Sequence, residues 1–168
     1  MQNIFLIGMM GSGKTTIAKL LSQKLSIDYF DTDEEIEKIM GMTIKQIFDE
    51  YGENRFRLIE SSFFNEMVNV HTAIYATGGG IIESEINKKT LKNNGFTIYL
   101  DCSLKELKKR ISKSINTRPL IKNNVDNDLK NIYNKRKMNY HNSADLIIKV
   151  DNYSKKEIVQ LISEKINV

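Results

Sequence analysis

The apolar positions along the chain alternate between two rhythms. Five short runs have the character of strands: Asn3–Ile7, continuously apolar after its first residue, then Tyr29–Thr32, Ala73–Thr77, Thr97–Leu100 and Leu146–Val150. Runs that are apolar on both faces suit strands buried between helices rather than half-exposed ones. Between them lie helical patterns over Lys14–Leu25, Glu34–Met40, Ile44–Val70, Glu85–Asn93, Leu104–Ile111, Val125–Tyr140 and Ser154–Ile166. Ile17, Leu20, Leu21 and Leu25 recur at helical spacing, as do Ile158, Leu161, Ile162 and Ile166. Each return to a parallel strand needs a crossover, so this alternation predicts an α/β fold: a five-stranded parallel sheet with helices on both faces. The stretch Ser112–Val125 has no clean period and holds Arg118 and the single proline, Pro119. A loop of that length is more often functional than idle.

Composition narrows the class. At 168 residues, 40% of them hydrophobic, the chain suits one domain with a proper core, which excludes collagen-like, disulfide-scaffold and disordered proteins. The longest apolar run, Ile4 to Met10 with Gly8 inside it, is far short of the ~18–20 residues of a membrane span. It lacks the flanks of a signal peptide, and no membrane association is expected. Cys102 is the only cysteine, which excludes an internal disulfide and points to a reducing, cytoplasmic setting. The net charge of +4 raises the question of nucleic acid. Against it, the basic residues are mostly Lys interleaved with acids, and Arg occurs only at positions 55, 57, 110, 118 and 136. Solvated faces and attraction of a small anionic substrate account for the charge, and no nucleic-acid partner is expected.

The chemistry begins at Gly8-Met9-Met10-Gly11-Ser12-Gly13-Lys14-Thr15, which fits G-x-x-x-x-G-K-[ST] between a buried strand and an amphipathic helix. Glycines let successive backbone N–H groups turn inward, and the helix N-terminus adds partial positive charge, so a polyphosphate is held. Gly11, Ser12, Gly13, Lys14, Thr15 and Thr16 are therefore the expected ATP contacts, with Lys14 on the β- and γ-phosphates and the Thr15 hydroxyl on Mg²⁺. Asp31-Thr32-Asp33 ends the second strand, where the carboxyl ends of a parallel sheet form the ligand crevice. Strand alternation would aim both carboxylates the same way. One could then hold a metal-bound water while the other takes a proton from an attacking hydroxyl, or Asp33 could merely cap a helix starting at Glu34. Arg57 and Glu60 sit i, i+3 on a helix, as a functional pair or an exposed surface one. Gly78-Gly79-Gly80 follows the third strand and would let a ligand approach the backbone closely.

Taken in order, these motifs resemble the shikimate kinase family, a nucleoside-monophosphate-kinase-like branch of P-loop proteins. The resemblance runs from Asn3 to about Val150. It rests on Gly8–Thr15, Asp31-Thr32-Asp33, Gly-Glu-x-x-Phe-Arg-x-x-Glu at 52–60, Gly78–Gly80, Arg118-Pro119-Leu120, and Arg136 with Tyr140 and Ala144. It implies a three-layer α/β/α P-loop domain over 1–168, with a substrate-binding helical region at 34–70 and a mobile lid at 112–125. It further implies transfer of the ATP γ-phosphate to the 3-hydroxyl of shikimate by a monomer using one Mg²⁺. By similarity, Asp33 positions or deprotonates the attacked hydroxyl and Asp31 steadies the Mg²⁺ shell, with Asp101 as the alternative. Arg57 and Arg136 clamp the substrate carboxylate, and the backbone of Gly79 and Gly80 lines its ring. Arg118 comes from the lid, and Arg110 stacks on adenine. The family often has Pro where this chain has Met138, so a helix continuing smoothly is expected there. Val150-Asp151-Asn152-Tyr153 matches the adenine-gripping segment only loosely.

Rival readings are a kinase for another small acid such as gluconate, a nucleoside monophosphate kinase, and a nucleotide-sensing or RNA-binding P-loop protein. None of them needs two acceptor-side arginines beside a glycine wall. His71, His141 and Cys102 are expected to be structural, and Phe48, Phe56, Phe63, Phe64 and Met67 to be core.

Overall fold

The computed structural model describes residues 2–112 and 125–166. At its centre are β1 (Asn3–Ile7), β2 (Tyr29–Asp31), β3 (Ile74–Ala76), β4 (Gly95–Asp101) and β5 (Leu146–Lys149), paired in parallel in the order β2-β3-β1-β4-β5. The most apolar strand takes the middle: every residue of β1 is buried. Its one polar side chain, Asn3, donates to the carbonyls of Val68 and Asn94 and accepts from the Ala73 N–H, so nothing polar is left unpaired there.

Among the described residues, seven helices cover the sheet: α1 (Lys14–Leu25), α2 (Thr32–Met40), α3 (Ile44–Val70), α4 (Glu85–Asn94), α5 (Leu104–Ile111), α6 (Val125–Ser143) and α7 (Lys155–Lys165). On one face α1 packs against α7; on the other α3 meets α4 and α4 meets α6. This is the expected three-layer α/β/α arrangement. From β1 the chain crosses to β2 and β3 on one side, then to β4 and β5 on the other. The loops leaving β1 and β3 therefore diverge, and a crevice opens at the strands' carboxyl ends.

The differences from the sequence reading are local and have physical causes. β2 stops at Asp31 and α2 starts at Thr32, because Asp31 accepts the backbone N–H groups of Asp33 and Glu34 and caps the helix itself. β4 begins at Gly95, and β5 ends before a short 3₁₀ turn at Val150–Asn152. Helix α6 runs unbroken past Met138, as expected, with that side chain exposed. The Ile44–Val70 pattern holds, but Gly52 inside it has φ 75° and ψ 169°, which bends α3 into two arms. A Cβ there would touch nothing within 4 Å, so the glycine answers a backbone requirement rather than a steric one. Against α2, these arms close a small second core of Ile36, Ile47 and Phe56. Phe64 and Met67 join the main core, and Phe63 packs against both.

Candidate active site

The loop between β1 and α1 takes the shape that its glycines permit, with φ 147° at Gly8, 80° at Gly11 and 102° at Gly13. Lys14 Nζ donates to the carbonyls of Gly8 (2.9 Å) and Met9 (3.0 Å), which lays the ammonium across the loop. The Thr15 hydroxyl donates to Asp31 Oδ2 at 2.6 Å. The capping role weighed for Asp33 is filled by Asp31, and Asp33 lies inside α2, where strand alternation does not govern it. From the last turn of α5, Arg110 Nη1 donates to the carbonyls of Gly11 and Ser12, each at 3.3 Å, while its Nε donates to Glu106 at 2.9 Å. Gly11, Gly13, Lys14, Thr15, Thr16, Arg110 and Lys155 line a cavity of about 510 Å³. Asp101, the other candidate near a metal, accepts the Tyr99 hydroxyl at 3.0 Å. Arg118 and nearly all of the lid stretch lie outside the described residues.

A second cavity, of about 270 Å³, gathers Asp33, Arg57, Glu60, Gly78, Gly79, Gly80 and Arg136, with Met10, Phe48 and Phe56 among its apolar lining. The three glycines explain how so many long side chains fit. A methyl group on Gly78 would stand 2.5 Å from Glu60 Oε1 and 2.6 Å from Asp33 Oδ1, and one on Gly80 would collide with the Arg57 guanidinium. At Gly79 it would lie 3.6 Å from Arg136 Nη1 and 3.5 Å from the Met10 nitrogen. Two of the three bare backbone positions are therefore occupied by the protein's own charged groups. The loop is held by the Gly78 N–H donating to Thr32 Oγ1 at 2.9 Å and by the Tyr140 hydroxyl donating to the Gly79 carbonyl.

Arg57 and Glu60 do pair, Nη1 to Oε2 at 2.7 Å, but not as a surface pair: Glu60 is 1% exposed. The Arg57 guanidinium also lies 5.1 Å from the Phe56 ring centre and 5.9 Å from that of Phe48, so these core aromatics double as pocket wall. Burial pushes the Glu60 carboxyl up, against the pull of Arg57. Burial alone would weaken the Arg57 charge, but the Glu60 carboxylate outweighs it and holds the guanidinium above its ordinary value. Asp33 is pushed up to about 7, first by burial and then by the carboxylates of Glu60 and Asp31; Lys14 and Arg57 offset only part of this. Two buried atoms on this wall, Arg57 Nε and Glu60 Oε1, have no hydrogen-bond partner among the described residues. Few buried polar atoms in native interiors go unpaired, and those that do often mark a catalytic or binding site or an ordered water.

Arg136 is 2% exposed and reaches the cavity from α6. Its Nε donates to Glu83 Oε1 at 2.7 Å, and its Nη2 bonds the same oxygen. Lys135 Nζ takes Glu83 Oε2 at 2.5 Å. One turn further along α6, Tyr140 stacks on Tyr99 with ring centres 5.0 Å apart, fixing the helix that carries Arg136. Glu83 is the residue that sequence reasoning missed. It stands in a 3₁₀ turn three positions after Gly80, with no local signal to separate it from a surface acid.

The remaining residues have structural surroundings. His71 is the C-cap of α3 with its ring near Phe30, and His141 sets its ring edge-on to Tyr99. Cys102 is buried, and that burial pushes its thiol up to about 12, as for a small apolar filler. Among the described residues no three His, Cys, Asp or Glu side chains cluster as a metal cage, and no helix is long and apolar enough to cross a membrane.

Comparison with known proteins matches residues 10–167 to the family model for shikimate kinase. The shikimate kinase of Bacillus cereus (strain G9842) is 41% identical over 169 residues, covering 100% of both chains. That of Wigglesworthia glossinidia brevipalpis is 40% identical, covering 96% of this chain and 94% of its own. Among solved structures, the shikimate kinase from Acinetobacter baumannii in complex with shikimate superimposes with a TM-score of 0.94 at 32% identity, covering 99% of this chain and 93% of that one.

Proposed function

The chain belongs to the shikimate kinase family, and from that membership we infer how its residues divide the work. The enzyme transfers the γ-phosphate of ATP to the 3-hydroxyl of shikimate, giving shikimate 3-phosphate and ADP on the route to aromatic amino acids. The observation that carries the residue assignment is the convergence of two guanidinium groups, Arg57 and Arg136, on the one cavity that also holds Asp33. Shikimate offers one carboxylate and a set of ring hydroxyls, and a planar guanidinium binds a carboxylate through paired charge-assisted hydrogen bonds. Arg57 and Arg136 therefore clamp the carboxylate, the backbone of Gly79 and Gly80 lines the ring, and the hydroxyls meet Asp33. With its carboxyl near 7, Asp33 is poised to accept the proton of the attacking oxygen at neutral pH.

On the other side, the main-chain amides of Gly11 to Thr16 and the Lys14 ammonium hold the phosphates in line with that oxygen. Arg110 sits against the P-loop in the cavity where the base would stack. Arg118, in the lid of the family, would neutralise the phosphoryl group in flight and help exclude water. An ATP-using kinase implies Mg²⁺, and the donors present suit it: a hydroxyl and a carboxylate, both hard oxygens, already bonded to each other at Thr15 and Asp31. Mg²⁺ usually takes one or two carboxylates plus substrate phosphates rather than an all-protein cage. When bound, it neutralises charge on the phosphoryl oxygens. Asp31 is favoured over Asp101 because it already bonds the Thr15 hydroxyl, the other expected ligand; Asp101 accepts from Tyr99 instead. The helical region 34–70 is the acceptor-binding part of the domain. The family resemblance implies a monomer, and the unpaired buried Cys102 suits a reducing cytoplasm.

A coupled ADP-release assay with shikimate, quinate, gluconate and nucleoside monophosphates tests this. Turnover should be confined to shikimate or strongly favour it. Robust turnover of another acceptor with shikimate inert would overturn the assignment.

A further inference from the structure

We propose that Glu83 is a positioning residue for the acceptor carboxylate: it holds one edge of the Arg136 guanidinium so that the opposite nitrogen is presented to the cavity. This rests on Arg136 being the carboxylate clamp. The geometry separates the two edges. Glu83 Oε1 takes Nε and Nη2, whereas Nη1 is the atom 3.6 Å from where a Gly79 methyl would stand. Arg136 lines the cavity and Glu83 does not, so the carboxylate stands behind the arginine rather than competing for its substrate-facing edge.

Glu83 is itself fixed, because its second oxygen is held by Lys135. Burial works to raise its carboxyl, but the Lys135 hydrogen bond and the Arg136 charge outweigh that and keep it ionised at neutral pH. A long side chain locked before the ligand arrives loses less freedom on binding, and that pre-organisation appears as affinity. The bond reaches from α6 to the turn after β3, so it also registers the arginine's helix on the glycine loop that forms the pocket wall.

Steady-state kinetics on Glu83→Asp and Glu83→Gln, each in the wild-type and the Arg136→Ala background, tests the inference. Asp keeps the charge but withdraws the carboxylate by one methylene; Gln keeps one oxygen within reach of Arg136 but drops the charge and the second acceptor that holds Lys135. If position is what matters, Glu83→Asp raises the shikimate KM about fivefold or more and Glu83→Gln by less than about twofold, with the ATP KM unmoved. In the Arg136→Ala background neither substitution changes the shikimate KM further, since Glu83 acts only through that arginine. A larger loss with Gln than with Asp, a fall in KM with either, wild-type KM in both, or an equal effect without Arg136 overturns the proposal. Failure of the clamp itself is visible separately, because Arg136→Ala alone would then leave the shikimate KM unchanged, and the proposal falls with it.

Discussion

Asp33 carries a carboxyl lifted from 3.8 to about 7 by burial and by two neighbouring carboxylates. The same environment that suits it to take a proton makes its charged form costly to the fold. Between the unfolded value of 3.8 and the folded value near 7 the native protein holds a proton that the unfolded chain has released. Asp33 therefore lowers stability as pH rises through that window, and the penalty is complete above about 7. In metal-free buffer at pH 8, Asp33→Asn should melt about 2–6 °C above wild type, and at pH 5 the gap should shrink as the native carboxyl becomes neutral. Thermal melts at the two pH values check this. An Asp33→Asn protein no more stable than wild type at pH 8 would mean that the carboxyl is not strained by its surroundings.

On the proposed assignment, the loop after β3 is the element on which the acceptor side turns. Its glycines were legible from sequence as a place of close approach, but not what approaches: Asp33 and Glu60 crowd Gly78, and the Arg57 guanidinium crowds Gly80. Gly80→Ala should therefore act as an indirect lesion of Arg57, displacing the far end of a flexible side chain while leaving the fold intact. The shikimate KM should rise about tenfold, roughly the loss of one charge-assisted hydrogen bond, and adding Arg57→Ala should do little more. Kinetics on the single and double variants read this directly, and additive effects would contradict it. The strands and most helices could be read from periodicity because burial imposes it, strictly in β1 and in α1. The bend at Gly52 could not, since both arms of α3 keep a helical pattern and only the backbone angles break. Nor could the choice of Asp31 over Asp33 as cap, which depends on where β2 ends. Glu83 was invisible because its partner lies 53 residues away and only the fold joins them.

At the scale of the molecule, the sheet order places two cavities at the strands' carboxyl ends, one built on the P-loop and one between α2, α3, the glycines after β3 and α6. Gly79 stands at their boundary: a methyl there would lie 3.5 Å from the Met10 nitrogen and 3.7 Å from the Gly8 carbonyl on one side, and 3.6 Å from Arg136 on the other. On the proposed assignment, the phosphate cradle and the acceptor pocket thus meet at Gly79. On the proposed mechanism, that proximity would let the γ-phosphate pass to the acceptor by alignment and charge. The most direct test is a calorimetric titration of shikimate into the wild-type protein, Arg57→Ala and Arg136→Ala, each with ADP and Mg²⁺ present. Wild type should bind shikimate, and each variant should bind at least about tenfold more weakly while its ADP affinity stays the same, because each loses charge-assisted hydrogen bonds of ~1.5–3 kcal/mol. Wild-type shikimate affinity in both variants, or no shikimate binding by the wild-type protein, would contradict the account.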